Sequence, residues 1–421
     1  MSTTQLESER SNAPAPELSP PTHAPPGAGS TALTQVQAVR TSGPEAIAHV
    51  ATIASDHPQE WPGIARWLQQ ARGNDFVQHV MARLSGHETD YELARLTPEQ
   101  RQDYDKIRAR DPKITEKEAI QEARASKPLT PDDKQAVLAA VSKLASVKPR
   151  PINPTNNPNV TQIEVSFDGT WDDRDEMAFD TNPALVEDLF HGTKHYELGV
   201  ATSASTDIVG GWFGAGISNR IDTAYNQVVA DINAAHQANP NAEVALIVSG
   251  FSRGSAAARA FVNVLNKRGV PDTSSAKTGN HYAKNLAAPR IGAMILFDTV
   301  GSVGIPGTNL NPGLDLSIPG NAENVLHITA RDEKRGMFPL SSAVAPGHEH
   351  DPRITELSIP GGHSDIGGSY RNDYSKIPLA MSTSYLKRAG ATIDEAPMPD
   401  VNDPELRIHD TGGTKPRTVY H

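Results

Sequence analysis

Cysteine is missing from this chain altogether. That one absence excludes disulfides, a thiolate nucleophile and thiolate-ligated metal sites. It leaves the compartment open, because a cysteine-free chain suits an oxidising destination and the cytoplasm alike. Aromatic residues are scarce, at 5%. Basic residues are outnumbered, and the formal net charge of −11 argues against a nucleic-acid-binding surface and against purely electrostatic attraction to anionic lipid. No apolar run approaches the length that spans a bilayer, and the N-terminus lacks a charged-then-apolar signal pattern. At 421 residues the expected organisation is one large domain plus an appendage.

Proline and glycine are plentiful, at 33 and 32, and they punctuate the chain. Residues 1–43 are rich in Pro, Ser, Thr and Ala with few large apolar side chains, which predicts a disordered leader or a docking tail. Residues 44–148 turn helical. PEAIAHVATIA, WPGIARWLQQA and DFVQHVMARLSG carry apolar residues at three- and four-residue spacing. Two later segments open with Thr-Pro before acidic residues, a helix-start signal. The expectation is a small helical N-terminal domain or arm, with Trp61 and Trp67 better read as core than as a membrane anchor. Residues 149–160 (PRPINPTNNPNV from Pro149 onward, after Lys148) read as a Pro/Asn linker. From 161 to 395 strands alternate with helices, which predicts an α/β fold with a mostly parallel sheet and helices on both faces. Its strands are IEVSF, HYELGV, VALIVS, IGAMILF, NVLHIT and ITELSI. Residues 396–421 read as a polar, loosely held C-terminal tail.

The chain is organised around Ala242–Arg268, AEVALIVSGFSRGSAAARAFVNVLNKR. A buried strand runs into a tight turn and then an alanine-rich helix. The turn spells Gly250-Phe251-Ser252-Arg253-Gly254, the G-x-S-x-G pattern in the strand–turn–helix context of an α/β-hydrolase nucleophile elbow. Gly250 and Gly254 lack side chains, so strand and helix can approach closely there. The helix N-terminus directs its unpaired N–H groups at charge developing beside Ser252. A Ser that merely caps a helix is the bland alternative.

An activated Ser needs a base and an acid that orients the base, here in the chain order Ser, acid, His. IGAMILF ends in Asp298, and ITELSI runs into PGGHSDIGGSY, which carries His363. Ser252, Asp298 and His363 thus fall at the ends of buried strands in the required order. His327, inside NVLHIT, is better read as a satisfied structural histidine. Asp365 is better read as ordering the His363 loop than as the acid. His348 and His350 are a weak metal signal. The first strand ends in Asp168, Gly169 and Thr170. Backbone N–H groups of Gly169 and Thr170 could join that of Arg253 around an oxyanion, with Asp168 holding the loop. Asp172, Asp173 and Asp175 lack the spacing of a calcium loop and read as a solvated acidic turn. No metal site or cofactor is assigned, and a structural or activating cation stays open.

Five segments in order carry a resemblance: FDGTW (Phe167–Trp171), GFSRGSAAAR (Gly250–Arg259), FDTVGSVG (Phe297–Gly304), HITARDEKRGMF (His327–Phe338) and PGGHSDIGGSY (Pro360–Tyr370). Together they resemble the α/β-hydrolase domain of the GFSRG class of bacterial type VI secretion lipase effectors, over roughly Val160–Gly390. The resemblance implies a phospholipase of the A type, with Ser252 as nucleophile, Asp298 as acid and His363 as base. It also implies synthesis in the bacterial cytoplasm and export by a specialised secretion system into a target cell. The implied partners are a phospholipid membrane as substrate, a secretion-apparatus protein and a cognate immunity protein, and no nucleic acid. A soluble serine esterase and a non-catalytic secretion adaptor with a hydrolase-like core are the competing expectations. Here the extra mass precedes the core, whereas these effectors often carry a membrane-docking or lid region after it.

Overall fold

The structure is a computed structural model. It describes residues 31–41, 43–154, 157–169, 180–199, 213–279, 281–301, 311, 313–336, 338–370, 373–411 and 417–420, the side chains of residues 31 and 213–215 excepted. Residues 1–30 of the expected leader lie outside this set, as do Thr170, Trp171, Asp172, Asp173 and Asp175.

The chain divides between Leu96 and Thr97 into two units. In the first, helices α1 (Thr31–Ala38), α2 (Pro44–Asp56), α3 (Trp61–Arg72), α4 (Asn74–Leu84) and α5 (Glu88–Ala94) follow one another. Apolar residues at helical spacing, such as Ile47/Val50/Ala51 of α2 and Ile64/Leu68 of α3, are buried in a shared core with Val77 and Val80. Trp61 and Trp67 pack against that core, partly buried. The expected leader ends earlier than its composition suggested. Ala32, Leu33 and Val36 of α1 are buried in the same core, because a short apolar stripe on one helix face suffices to dock it.

The second unit opens with three helices that the sequence pattern grouped with the first. These are α6 (Pro98–Arg110), α7 (Glu116–Ala125) and α8 (Pro131–Ser146). Each starts with a capping box, Thr97/Gln100, Thr115/Glu118 and Thr130/Asp133, which satisfies N–H groups that the first turn leaves unpaired. α8 buries Val137, Ala140 and Leu144 in the core beneath the sheet, together with Leu357 and Ile359. The helical 44–148 segment is therefore no single domain. Helical periodicity reveals an apolar face but not what covers it.

The expected linker is also packed. Ile152 is fully buried, its N–H donates to the Ala389 carbonyl (2.7 Å), and Arg290 donates to its carbonyl (3.0 Å). Short strand β1 (Ser126–Pro128) precedes it, and the main sheet comes from β2 (Val160–Phe167), β3 (Thr193–Glu197), β4 (Glu243–Phe251), β5 (Arg290–Phe297), β6 (Val325–Ala330) and, after the short β7 (Leu340–Ser341), β8 (Ile354–Ile359). These six strands lie in the order β8-β6-β5-β4-β2-β3, and each pairing is parallel. This is an α/β-hydrolase fold. Alternation along β4 explains its two-faced burial. Ala245, Ile247 and Phe251 enter the core with α8, α9 (Asn182–Leu189) and α13 (Lys376–Arg388), whereas Val244, Leu246 and Val248 enter the core with α10 (Phe213–Ala238) and α11 (Arg253–Arg268). The strand order reverses between β2 and β4, so their carboxyl ends flank a crevice where ligands characteristically bind. Among the described residues no helix is long and apolar enough to cross a membrane.

The C-terminal residues are built in. β9 (Arg407–His409) pairs antiparallel with β1, and β10 (Val419–Tyr420) pairs parallel with β7. Val401, Leu406 and Ile408 enter the core under the sheet. These apolar residues are too sparse to register as a pattern, yet each finds a distant partner. Ile408→Ala should therefore destabilise the folded chain by about 2–4 kcal/mol. Urea denaturation checks this, and a loss below about 0.5 kcal/mol, the surface-substitution range, would show the tail to be as loose as its composition suggests.

Candidate active site

The site forms at the carboxyl edge of the sheet, where β2, β4, β5 and β8 all end. β4 runs to Phe251 and α11 begins at Arg253, so Ser252 alone makes the turn. Its backbone is held at φ 57°, ψ −122°, an unfavourable region for a residue with a Cβ and worth about 1–3 kcal/mol of strain. The surroundings hold it there. Ser252 N–H donates to the Phe297 carbonyl (2.9 Å), and its carbonyl accepts from Val300 (3.2 Å) and Ala256 (3.3 Å). Close packing does the rest. A Cβ at position 254 would stand 2.2 Å from the Phe167 carbonyl oxygen and 2.5 Å from that of Asp168. Only glycine lets α11 start against the end of β2.

Ser252 Oγ lies 2.8 Å from His363 Nε2, and His363 Nδ1 lies 2.5 Å from Asp298 Oδ2. Ser252, His363 and Asp298 are 6%, 4% and 0% exposed. Hydrogen-bond complementarity fixes the tautomer: an ionised Asp298 accepts from Nδ1–H, which leaves Nε2 as acceptor for the serine hydroxyl. Asp298 also has a positive φ, 43°. Its N–H donates to the Ile328 carbonyl (2.8 Å), and its Oδ1 accepts from Ala330 N–H (2.8 Å).

Arg417 is the residue sequence reasoning missed. Its Nη1 donates to Asp298 Oδ1 (2.6 Å) and its Nη2 to Asp298 Oδ2 (2.8 Å). Burial alone would raise the Asp298 carboxyl. The Arg417 cation and the His363 hydrogen bond outweigh burial and hold it well below the ordinary carboxylate range. His363 is lowered from its ordinary value, first by burial and then by Arg417, against the opposing pull of Asp298.

His363 opens helix α12 (His363–Gly367), whose placement depends on several elements. Its ring sits against Phe251 and Phe338, with centroids 4.6 and 5.0 Å away. A Cβ at Gly367 would stand 2.1 Å from the Phe251 ring, so glycine there lets α12 close over the elbow. Asp365 Oδ2 accepts from Gly362 N–H (2.8 Å) and His409 N–H (2.7 Å), and Asp365 Oδ1 pairs with His409 Nδ1 (2.8 Å). Asp332 Oδ2 takes Gly361 N–H (2.9 Å), and Glu333 Oε2 takes His363 N–H (3.3 Å). His327 is fully buried, joins Glu356 through Nδ1 (2.8 Å), and accepts the Thr299 N–H at Nε2 (3.2 Å). It braces the loop that follows Asp298.

Asp168 anchors the end of β2 through Thr181 Oγ1 (2.7 Å) and the Tyr196 hydroxyl. It also takes the Gly169 N–H (2.7 Å). In this arrangement the Gly169 N–H, expected to face an oxyanion, is engaged by the neighbouring carboxylate. Thr170 lies outside the described residues. Arg253 stands in the first turn of α11, directly after Ser252, where N–H groups have no intrahelical acceptor. His348 and His350 sit in an exposed turn. Among the described residues no three His, Asp or Glu side chains are grouped to hold a metal ion.

Residues 161–285 and 271–384, together more than half of the chain, match the family described as "T6SS, Phospholipase effector Tle1-like, catalytic domain". The chain belongs to this family. Comparison with curated proteins gives no match. Among solved structures, the chain is similar to an uncharacterised protein from Pseudomonas aeruginosa at 19% identity, covering 65% of this chain and 51% of that one, TM-score 0.42. It is also similar to the Tle1 effector bound to the VgrG spike of the type 6 secretion system, at 22% identity over 51% of this chain and 52% of that one, TM-score 0.36. Zea mays acyl-protein thioesterase 2 is a third, at 12% identity over 56% and 96% of the two chains, TM-score 0.26. This chain spans about half the length of the first two.

The depressed His363 makes a prediction for this member of the Tle1-like family. In a histidine-resolved NMR titration of the folded protein, its imidazole should show a midpoint below about 6.5, the ordinary histidine value. A midpoint above that value would mean that the Asp298 charge outweighs burial and Arg417.

Proposed function

We propose that the second unit is a serine hydrolase that cleaves acyl esters of membrane phospholipids, a phospholipase of the A type. The observation that carries this reading is the continuous relay from Ser252 Oγ through the His363 imidazole to Asp298, at 2.8 and 2.5 Å, inside a region matching a phospholipase effector family.

The chemistry follows from the arrangement. His363 Nε2 takes the Ser252 proton as Oγ attacks the acyl carbonyl carbon, and Asp298 stabilises the imidazolium through Nδ1–H. The Arg253 N–H and the positive end of α11 face the oxyanion that forms. Collapse of this intermediate expels the glycerol oxygen of the lysolipid, which takes the proton from Nε2. Water then attacks the acyl-Ser252 ester with His363 again as base, releasing the fatty acid and restoring the serine. The net reaction is ester plus water giving lysolipid plus fatty acid. His363 below its ordinary value is neutral, and so basic, at neutral pH. The family description supports delivery by a type VI apparatus. A spike component of that apparatus is the proposed carrier, and the producing cell would need an immunity protein.

The deciding experiment incubates purified wild type and Ser252→Ala with phospholipid vesicles and identifies released fatty acid and lysolipid by mass spectrometry. Wild type should release both, and the variant should lose about 10³-fold or more of the rate. Equal rates would remove Ser252 from the mechanism. Serine-dependent cleavage of short soluble esters with no action on vesicles would replace the phospholipase with a soluble esterase.

A further inference from the structure

We propose that Arg417 is a positioning residue for the Ser252–His363–Asp298 relay, holding the Asp298 carboxylate in the orientation in which it meets the imidazole. The inference rests on the catalytic reading of that relay. It adds a component from outside the sheet, on a segment of no evident catalytic pattern.

The geometry is that of a clamp. The guanidinium meets both carboxylate oxygens, Nη1 on Oδ1 at 2.6 Å and Nη2 on Oδ2 at 2.8 Å. Such a two-point pair fixes the carboxylate plane as well as its charge. Oδ2 is also the oxygen that accepts from His363 Nδ1, and Oδ1 also accepts from Ala330 N–H. With Arg417 removed, each oxygen keeps one of these bonds, and rotation of the carboxylate is resisted by single contacts. The clamp is itself anchored. Arg417 Nε donates to the Phe338 carbonyl (2.6 Å), and the Phe338 ring lies 5.0 Å from that of His363.

Its backbone is set from the other side. Leu340 N–H donates to the Thr418 carbonyl (2.9 Å), β10 pairs with β7, and Ser341 N–H donates to the Thr299 carbonyl (2.9 Å), one residue beyond Asp298. The contacts close a ring: Asp298, Thr299, β7, β10, Arg417 and Asp298 again. Arg417 and Asp298 are 8% and 0% exposed, so their attraction is little screened by solvent. A counter-ion for a buried carboxylate could be met by one contact from any direction. Two parallel bonds to both oxygens, with Nε tied behind them, restrict orientation as well.

The clamp has an electrostatic consequence. Among the described residues, the charged groups around the His363 ring and backbone are Asp298, Arg417 and Glu333, the last already paired with Arg335. Arg417 opposes the imidazolium, so its removal should make His363 easier to protonate. Activity that needs neutral His363 would then fail at higher pH than in the wild type.

The test uses the full chain as wild type, Arg417→Ala and Arg417→Lys. It measures hydrolysis of p-nitrophenyl butyrate against pH, with and without methylguanidinium chloride. For Arg417→Ala the expected result is a kcat loss on the order of 10²-fold, the scale of a catalytic group displaced by about an ångström, with KM within about twofold. The acid limb should move to higher pH, and methylguanidinium should restore about tenfold of the rate. Arg417→Lys should fall between. A folded Arg417→Ala with wild-type kcat and acid limb overturns the proposal. So does an Arg417→Lys variant with wild-type kcat, which would mark Arg417 as a buried counter-ion alone, because lysine supplies the charge without the two-point contact. Should the alanine variant fail to fold, the kcat of Arg417→Lys decides: a loss at the wild-type acid limb supports the clamp, and wild-type kcat overturns it. Should wild type show no Ser252-dependent hydrolysis, the catalytic reading fails separately. The His363 NMR midpoint then still reports the clamp, and no rise in Arg417→Ala overturns it.

Discussion

A carboxylate with no access to water is the constraint on which this structure turns. A buried, unpaired charge costs several kcal/mol, so Asp298 stays ionised only where donors surround it. The fold supplies them from separate places: a backbone N–H from the end of β6, an imidazole from the loop after β8, and a guanidinium from the C-terminal segment. Each donor belongs to a different stretch of chain. Satisfying Asp298 therefore brings those stretches to one edge of the sheet, the edge at which Ser252 emerges.

The same edge stores strain. Ser252 and Asp298 are the non-glycine residues with positive φ among those described. Each sits one residue past a central strand that is buried in all but its first residue, and the two are joined through the Ser252 N–H to Phe297 carbonyl bond. Parallel ladders on both sides of β4 and β5 give the sheet the rigidity to hold them. Strain of this kind persists where the surroundings over-determine it. Gly254 against β2 and Gly367 against Phe251 serve that end, since each removes the Cβ that would push the helices back. Positions 168, 332, 333 and 365 act likewise: their carboxylates take loop N–H groups and fix backbone.

Much of this arrangement is legible in the sequence because it is local. A buried strand followed within three residues by a helix leaves few places for Ser252. The apolar runs that end at Asp298 and shortly before His363 put those side chains at the same edge once the strands are parallel. Arg417 carries no such signal. It is one arginine in a polar stretch, and its meaning depends on Asp298, 119 residues away. The division at Leu96/Thr97 was hidden for a related reason. α6, α7 and α8 carry apolar residues at helical spacing as the helices before them do, and it is the burial of Val137 and Leu144 beneath the sheet that places α8 with the second unit. Gly169 shows the converse. Its place in the chain suits an oxyanion donor, but the neighbouring Asp168 carboxylate takes its N–H, a competition that residue order does not display.

The central claim is that one serine, activated by this relay, does the chemistry. The most direct measurement is to treat the folded protein with a fluorophosphonate probe and map the adduct by tandem mass spectrometry. The account predicts a single adduct on Ser252 that disappears when the protein is unfolded before treatment and is strongly reduced in His363→Gln. Labelling at another serine, or undiminished labelling of Ser252 without His363, would contradict it.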